Sequence, residues 1–512
     1  MLFLIALSPI LWLVVALSFL KMGAWKACPI ALAISILAGM FVPHFDMTAI
    51  HAAMAVAEGI ALACWPILLV IIAAIFTYNL SLHTKGMDII KEMLTSVSHD
   101  KRVLILLIGW GFGGFLEGMA GFGTAIAIPA GMLAGIGIKP VLAAAVCLIA
   151  NSVPTAYGSI GIPLMTLASV TGTDPTQLAT YTCLQLAPLT LLCPFLMVIT
   201  AGHSLKALNG MVILCLAAGL AFLIPELAVA MFMGPELAVV AGSIGAMAAI
   251  IGCAKLFPVK HPDYELPPHD AVPVTPKKGL VACLPFILIF VFLLLTSKLV
   301  PAIHDPLHLI KTSVLIYSGE GGTPYTFTWI ATPGVLILLA AFIGGTVQKA
   351  GFDEMLCVLR RTIYNLRFTI LTIISVIATA KVMGYSGMTS EIAATAVAAT
   401  GTLYPSIAAF IGSVGTFITG SATSSCVLFG KLQTDAALAI GAGPNVQAWV
   451  AAANATGACA GKMISPQSIA IAVASIGVIG CDSKLLQFAV KVYIPFVIVM
   501  GCIVYFGQSF IG

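Results

Sequence analysis

The sequence predicts an all-α polytopic membrane protein with about 12–14 transmembrane helices and two broken or re-entrant elements. Of its 512 residues, 60% are hydrophobic and 8% are charged, whereas soluble proteins carry about 25% charged residues. Apolar windows of about 18 residues or more recur along the whole chain, as transmembrane helices require. Segments rich in glycine and interrupted by proline recur in both halves, which predicts an internal repeat.

Composition also excludes several classes of function. The net charge of +4 is small and most Lys and Arg residues lie between apolar segments, so we expect a lipid bilayer and no nucleic acid as partner. The 13 cysteines are scattered singly, mostly in apolar segments, without a C-x-x-C pair or a Cys/His cluster. This spacing predicts no metal site, no disulfide framework and no cofactor.

The helices are expected where apolar segments are long and free of charge. These segments are 2–20, 26–43, 56–80, 103–117, 139–152, 155–171, 179–202, 208–224, 227–254, 279–298, 328–347, 368–384, 404–418, 445–456, 465–480 and 487–508. The first has no basic start and no small-residue cleavage pattern, which predicts a retained helix. Several of the others are too short to cross a bilayer alone, and we place the broken or re-entrant elements at 118–136 and 419–440.

The distribution of basic residues predicts the orientation. Lys and Arg concentrate in four segments: 21–26, 85–102, 255–278 and 349–367. Because cytoplasmic loops carry an excess of Lys and Arg, we place all four segments inside. The segments 44–50 and 299–327 then lie outside, and the N-terminus faces out.

The chain is predicted to be a single transporter domain, 1–512, made of two related halves. The first half, about 1–254, has its repeat core at 103–171, and the second, about 279–512, has its core at 404–480. The segment 255–278 holds six of the 28 prolines and is predicted to be an irregular cytoplasmic linker. The halves differ in length, and an added crossing before the second core would invert it, so we predict an inverted repeat.

The stretch 110–163 is the centre of the first half. Six glycines lie between Trp110 and Gly123, each less favourable than alanine in a helix interior by roughly 0.8–1.0 kcal/mol. They surround one carboxylate, Glu117, and an acidic side chain at bilayer depth is by default a candidate functional group. The glycines suggest backbone that breaks or that another segment approaches closely.

This stretch has a counterpart in the second half. Gly113, Phe115, Gly118 and Ala120 recur as Gly415, Phe417, Gly420 and Ala422, all displaced by 302 positions, and Asn151, Gly158 and Pro163 recur as Asn454, Gly461 and Pro466, displaced by 303. Corresponding interrupted segments in two halves are the best sequence indication of a transporter's binding site. We therefore expect the two breaks to meet near the bilayer centre.

Three groups of residues are candidates for a substrate pocket. The first is Gly118–Thr124, where free amides at a broken helix would suit an anion, and the second is Thr419–Ser425, which is rich in hydroxyls. The third contains the two Asn segments and Lys462. The predicted substrate-binding residues are Gly118, Gly121, Gly123, Thr124, Asn151, Ser152, Tyr157, Thr419, Gly420, Ser421, Thr423, Ser424, Ser425, Asn454, Thr456 and Lys462. In the alternative interpretation, the small residues and hydroxyls only pack helices together.

Lys462 is a cation inside an apolar stretch, and three roles are open to it. It could bind a substrate carboxylate, neutralise Glu117, or extend to the membrane interface. Its position in the repeated segment favours the substrate. Four further charged residues near apolar segments are expected at helix ends instead: Lys381, Glu391, Lys431 and Asp435.

Several long motifs resemble the lactate permease family of lactate and glycolate proton symporters. They are WGFGGFLEGMAGFG (110–123), IGIKP (136–140), CLIANSVPTAYGSIGIP (147–163), FITGSATSSCVLFG (417–430) and AAANATGACAGKMISPQSIA (451–470). The resemblance implies a secondary transporter of small 2-hydroxymonocarboxylates, coupled to protons, in a bacterial-type cytoplasmic (inner) membrane. Two positions depart from the family, which often has an acid in place of Ala422 and an Asn in place of Cys426. Because Ala422 removes a carboxylate, Glu117 is left as the principal candidate for the proton carrier.

Two other functions would require different features of the sequence. A sodium-coupled carrier of another small organic anion would use unwound carbonyls and the hydroxyls of Thr419–Ser425 to hold the ion. A membrane enzyme would need a nucleophile–base pair or a metal cluster, and the nine histidines supply neither. His304 and His308 have the spacing of a helical metal pair, but Pro306 between them argues against a helix there. The sequence therefore predicts a transporter and no catalytic residues.

Overall fold

The computed structural model describes residues 2–20, 22–45, 47–121, 123–257, 261–266, 274–478 and 481–511. Most of them are helical. In chain order the helices are α1 (Leu2–Val14), α2 (Ala24–Phe41), α3 (Ala49–Leu62), α4 (Leu69–His83), α5 (Gly86–Thr95), α6 (Lys101–Leu104), α7 (Gly113–Met119), α8 (Thr124–Gly135), α9 (Pro140–Asn151), α10 (Gly158–Thr171), α11 (Pro175–Gly202), α12 (Val212–Phe232), α13 (Ala238–Leu256), α14 (Pro276–Leu295), α15 (Pro301–Leu309), α16 (Pro333–Val347), α17 (Phe352–Tyr385), α18 (Met388–Thr400), α19 (Tyr404–Thr419), α20 (Ala422–Ala439), α21 (Pro444–Ile464), α22 (Pro466–Ile476) and α23 (Asp482–Ile511). A two-stranded antiparallel hairpin, β1 (Lys311–Val314) and β2 (Tyr325–Thr328), lies between α15 and α16.

The predicted polytopic helical fold is confirmed. Within the described ranges, ten helices are long and apolar enough to cross a membrane, and there are up to twelve if each of two bent pairs counts as one span. The bent pairs are α9 with α10, at 62°, and α21 with α22, at 46°. Each bend lies at a proline that follows a polar segment, Pro154 or Pro466. The count of ten to twelve is thus at or below the lower end of the expected 12–14 crossings.

The glycines between Trp110 and Gly123 interrupt the helix less than expected. The backbone stays helical through Met119, and helix α8 begins at Thr124. A Cβ on Gly111 would come within 2.6 Å of Met247, and one on Gly118 would come within 2.9 Å of Val240. Three of the six glycines, Gly111, Gly114 and Gly118, therefore allow α13 to pack closely, and fewer than expected break the helix.

A second close contact joins α19 to α21 and fixes the ends of both helices. Added Cβ atoms on Gly412, Gly457 and Gly461 would lie 1.8–2.2 Å from backbone oxygens of the opposite helix. Gly457 and Gly461 are four residues apart, so they lie on one face of α21 and let the two backbones approach. This packing positions the last turn of α19 and the last turn of α21, which both contribute to the site described below.

The basic segment 349–367 was expected to be a loop, but it is helical from residue 352 onward. Arg360, Arg361 and Arg367 lie within α17, which is 34 residues long. The start of α17 is capped, since the Glu354 carboxylate accepts a hydrogen bond from the Gly351 amide at 3.1 Å. Hydropathy marks only the apolar second half, 368–384, whereas the charged first half continues the same helix without a Gly or Pro to end it.

Two further predictions, both based on the position of a proline, are wrong. A break between two helices was expected near Pro225. Instead, α12 continues through Pro225 to Phe232, and the two helices are separated at 233–237. Pro306 does not prevent a helix either: α15 contains both His304 and His308, whose rings stack at 3.9 Å. Transmembrane and short surface helices tolerate proline where neighbouring groups satisfy the freed backbone.

Three of the charged residues expected at helix ends lie inside helices. Lys381, in α17, forms a buried ion pair with Glu58 of α3, with 2.7 Å between Nζ and Oε1. Lys431 and Asp435 are one turn apart within α20 and pair with each other. Glu391 does lie in the first turn of α18. Of the linker 255–278, residues 258–260 and 267–273 lie outside the described part of the chain.

Candidate functional site

The predicted breaks meet at one cavity of about 250 Å³. Its wall is formed by the end of α7, the start of α10, the junctions of α19 with α20 and of α21 with α22, and one face of α17. Gly123 from the first break and Gly420 from the second both line it. The segments that the sequence singled out in each half thus share one site.

A carboxylate and an ammonium face each other in this wall. Glu117, in the last turn of α7, is 2% exposed, and its Oε1 lies 3.8 Å from Nζ of Lys462 in the last turn of α21. Its other oxygen, Oε2, has no hydrogen-bond partner among the described residues. The separation of 3.8 Å is an ion pair without a direct hydrogen bond, so both groups remain able to bind a further partner.

Gly158 makes room for this carboxylate. A Cβ at position 158 would lie 2.6 Å from Oε1 of Glu117. Such a distance is shorter than any ordinary carbon–oxygen contact, so a larger residue would displace the carboxyl group. The glycine in the NSVPTAYG segment is therefore required by the close approach of Glu117.

The backbone next to Gly158 is strained. Ser159, Ile160 and Gly161 have φ of +49°, +58° and +74°, so two non-glycine residues occupy the left-handed region. For a β-branched residue such as Ile160 this conformation is a true outlier, and such outliers cluster at functional sites. The Ser159 hydroxyl donates to the Ala120 carbonyl at 2.8 Å, which ties the start of α10 to the break after α7.

The second break presents a helix start to the cavity. Gly420 ends α19 in the left-handed conformation, with φ of +71°, and Ser421 caps α20 by accepting a hydrogen bond from the Ser424 amide at 3.2 Å. The Thr419 hydroxyl donates to the Gly415 carbonyl at 2.8 Å and accepts from the Ser421 amide at 3.2 Å. Thr423 and Ser424 follow in the first turn of α20 and line the cavity.

Three helix N-termini converge on this space. Gly123 precedes α8, Ser421 precedes α20, and Gln467 and Ser468 lie in the first turn of α22; all four line the cavity. Each helix start carries a partial positive charge and amides without intrahelical partners. Together with Lys462 they make the cavity suitable for a small anion.

The amides of the first break are less free than predicted. Ala120 and Gly121 both donate to the Leu116 carbonyl, at 2.8 and 3.1 Å, and Thr124 donates to the Gly121 carbonyl at 3.0 Å. These bonds satisfy most of the polar backbone that the glycines would otherwise expose. Anion binding by Gly118–Thr124 therefore rests on the start of α8, and not on an unwound loop.

The structure brings together eight of the predicted residues at the cavity: Glu117, Gly123, Thr419, Gly420, Ser421, Thr423, Ser424 and Lys462. Nine others lie outside its lining: Gly118, Gly121, Thr124, Asn151, Ser152, Tyr157, Ser425, Asn454 and Thr456. Several of their side-chain hydroxyls donate to backbone carbonyls instead. For example, the Tyr157 hydroxyl donates to the Ala179 carbonyl at 2.6 Å, and the Ser425 hydroxyl donates to the Gly412 carbonyl at 2.7 Å.

Sequence reasoning missed several residues of the lining. Thr155, Gly158 and Ser159 lie within the repeated segment, and Gln467 and Ser468 follow its final proline, so their motifs pointed to them. One wall of the cavity could not be predicted from the sequence, because it is formed by helices that are distant along the chain. That wall consists of Trp25, Phe368, Thr369 and Thr372.

Ala422, where the family often has an acid, also lines the cavity at the start of α20. An acidic side chain at this first helical position would place a second negative charge beside the converging N-termini. Cys426, the other departing position, is fully buried one turn further along α20. Glu117 is therefore the carboxylate that lines this cavity among the described residues.

Comparison with known proteins shows the family. The family model described as L-lactate permease matches residues 2–511. The chain is 43% identical to the L-lactate permease of Streptococcus iniae over 89% of its own length and 94% of that protein, and 33% identical to glycolate permease GlcA of Escherichia coli K12 over 98% and 94%. A solved YdaH transporter from Alcanivorax borkumensis overlaps 79% of the chain and 85% of that protein, at 12% identity and a TM-score of 0.36. The chain is thus a multi-pass membrane protein that belongs to the L-lactate permease family.

Proposed function

We propose that the protein is a secondary active transporter that carries lactate or glycolate together with protons. The observation that supports it most is the Glu117–Lys462 pair in the wall of a cavity where three helix N-termini converge. A relative at 43% identity is named an L-lactate permease and another at 33% a glycolate permease. The cavity chemistry and the relatives therefore favour the same substrate class.

The substrate carboxylate is proposed to bind between Lys462 and the starts of α20 and α22. There the ammonium and the helix N-termini would replace the water that the anion loses. The 2-hydroxyl group of the substrate can pair with the hydroxyls of Thr423 or Ser424, which donate and accept equally well. The cavity of about 250 Å³ is small, which suits an anion of a few carbon atoms.

Charge balance gives a reason for coupling to one proton. In the empty site the charges of Glu117 and Lys462 cancel across 3.8 Å. When an anion binds Lys462, the site would carry a net negative charge in a poorly hydrated space, which is unfavourable. Protonation of Glu117 restores neutrality, so anion and proton are expected to enter and leave together.

We also propose the orientation. With the basic segments inside, the N-terminus faces out and the protein lies in the cytoplasmic (inner) membrane. Segment 21–26 and the first half of α17 are then on the inner side. Trp25 belongs to that segment and Phe368 follows the first half of α17, and both line the cavity. On this assignment the cavity is reached from the cytoplasm.

Sodium coupling is the second candidate. Ala422 leaves the start of α20 without the acid that is frequent in the family, whereas the hydroxyls of Thr419–Ser424 surround the break. Hydroxyl and carbonyl oxygens at discontinuous helices are typical ligands of transported sodium. In this case uptake would follow a sodium gradient and would persist without a pH gradient.

The test is transport of labelled lactate by the purified protein in proteoliposomes. We expect accumulation under an imposed pH gradient and none under a sodium gradient alone. Glu117→Gln should abolish proton-driven accumulation, because the amide cannot carry a proton, whereas counterflow exchange should survive. Glu92→Gln, on the exposed side of α5, is the control and should behave as wild type. Accumulation by Glu117→Gln at the wild-type level would rule out Glu117 as the proton carrier.

A further inference from the structure

A second cavity, of about 210 Å³, lies near the hairpin on the side that carries segment 299–327. It is bounded by segment 233–237, the end of α14, the helix α15 and the start of α16. Its charged and titratable lining residues are Glu236, Lys298, His304 and His308. None of these belongs to the central cavity around Glu117.

The start of α16 leaves a buried hydroxyl unpaired in this cavity. Thr332 precedes α16, which is 15 residues long, and its side chain makes no capping hydrogen bond. The residue is 1% exposed, and within the described chain its hydroxyl oxygen has no hydrogen-bond partner. A threonine at this position normally accepts a bond from an amide of the first turn. Pro333 has no amide hydrogen and the Val335 amide donates to the Thr332 carbonyl at 3.1 Å, so the buried Thr332 hydroxyl is the group that remains available to a ligand.

The surrounding charges favour an anion. Lys298 supplies a permanent positive charge, and the rings of His304 and His308 stack with their centroids 3.9 Å apart. In each ring Nδ1 is engaged: that of His304 with Asp305 at 2.9 Å and that of His308 with the His304 carbonyl at 2.9 Å. The Nε2 atoms are therefore the ones left to bind a ligand.

Glu236 is the one carboxylate in this lining, and its charge depends on pH. Burial raises the pKa of Glu236 to about 7, although nearby Lys298 opposes the shift. Below that pH the carboxyl group is neutral and can donate a hydrogen bond. Above it, Glu236 is negative and repels an anion, so occupancy by an anion should rise as the pH falls.

We propose that this cavity is a second binding site, for a small carboxylate anion, built from the start of α16, Thr332, Lys298 and the stacked histidines. That the anion is a 2-hydroxymonocarboxylate rests on the proposed function. The helix α10 contributes Pro163 to the central cavity and Met165 to this one, so it forms part of the wall between them. The site is thus placed to hold substrate beside the central cavity.

The experiment is equilibrium binding of labelled lactate to the purified full-length protein at pH 6 and pH 8. Wild type should bind a second, weaker equivalent at pH 6 that is lost at pH 8. Thr332→Val and Lys298→Met should each remove only this second equivalent. Thr296→Val is the matched control, because Thr296 lines the same cavity but its hydroxyl already donates to the Phe292 carbonyl at 2.8 Å.

Lys462→Met separates this proposal from the proposed function. If it leaves one pH-dependent equivalent that Thr332→Val removes, the second site is real whatever happens at the central one. If wild type binds a single equivalent that Lys462→Met abolishes and that neither Thr332→Val nor Lys298→Met changes, the second site is overturned and the central site stands. Absence of lactate binding at both pH values would overturn both.

Discussion

Replacement of Lys462 by Met tests the central pair most directly. Its Nζ is 3.8 Å from Oε1 of Glu117, and the two side chains are only 10% and 3% exposed. At this distance the attraction is roughly 4 kcal/mol for an effective dielectric constant of about 20. Methionine keeps the length and the apolar stem of the side chain but removes the charge, so Glu117 would be left buried without its partner.

We expect two separate effects from Lys462→Met. Without substrate the protein should lose stability, by about 3 kcal/mol, because removal of one member of a buried ion pair costs roughly 3–5 kcal/mol and this pair lacks a direct hydrogen bond. Added lactate should no longer stabilise the variant, because the proposed anion partner is gone. The double variant Glu117→Gln/Lys462→Met should recover most of the stability, since no unpaired charge remains, but should still fail to respond to lactate.

Thermal unfolding in detergent, with and without lactate, measures both effects. Lys431→Met serves as the control: its side chain is 43% exposed and pairs with Asp435 away from the cavity, so the stability loss should be small and the response to lactate unchanged. If Lys462→Met is destabilised but still stabilised by lactate as wild type is, the lysine serves Glu117 alone. If neither quantity changes, the reasoning about this pair is refuted.

Two further outcomes follow from close contacts. Gly158→Ala should abolish lactate accumulation, since its Cβ would lie 2.6 Å from Glu117 Oε1. Gly384→Ala is the control and should transport as wild type, because no atom lies within 4 Å of the added Cβ. Normal transport by Gly158→Ala would contradict this prediction. Glu58→Gln should lower the unfolding temperature, because it breaks the buried ion pair with Lys381. The double variant Glu58→Gln/Lys381→Met should recover most of the lost unfolding temperature. Equal unfolding temperatures for wild type, single variant and double variant would show that the pair contributes little.

Local preferences explain what could be predicted from the sequence. Apolar length predicted the crossing helices, because a bilayer requires a fixed span of apolar residues. Glycine indicated the turn at Gly420, since it frees its own backbone, whereas the bends at Pro154 and Pro466 lie outside the broken elements expected at 118–136 and 419–440. The rarity of charge at bilayer depth pointed to Glu117 and Lys462. These inferences depend on a residue and its near neighbours, and they identified the segments of the site.

Tertiary packing decided which of those residues share a cavity. Asn454 and Tyr157 have the chemistry of a pocket, but the faces on which they lie meet other helices, so their polar groups satisfy Gln433 and the Ala179 carbonyl. Phe368 lines the cavity although it carries no signal, because α17 crosses there. The pairing of Glu117 with Lys462 likewise depends on the rotation and depth of two helices from opposite halves. Those are set by close contacts between backbones, which a single sequence does not display.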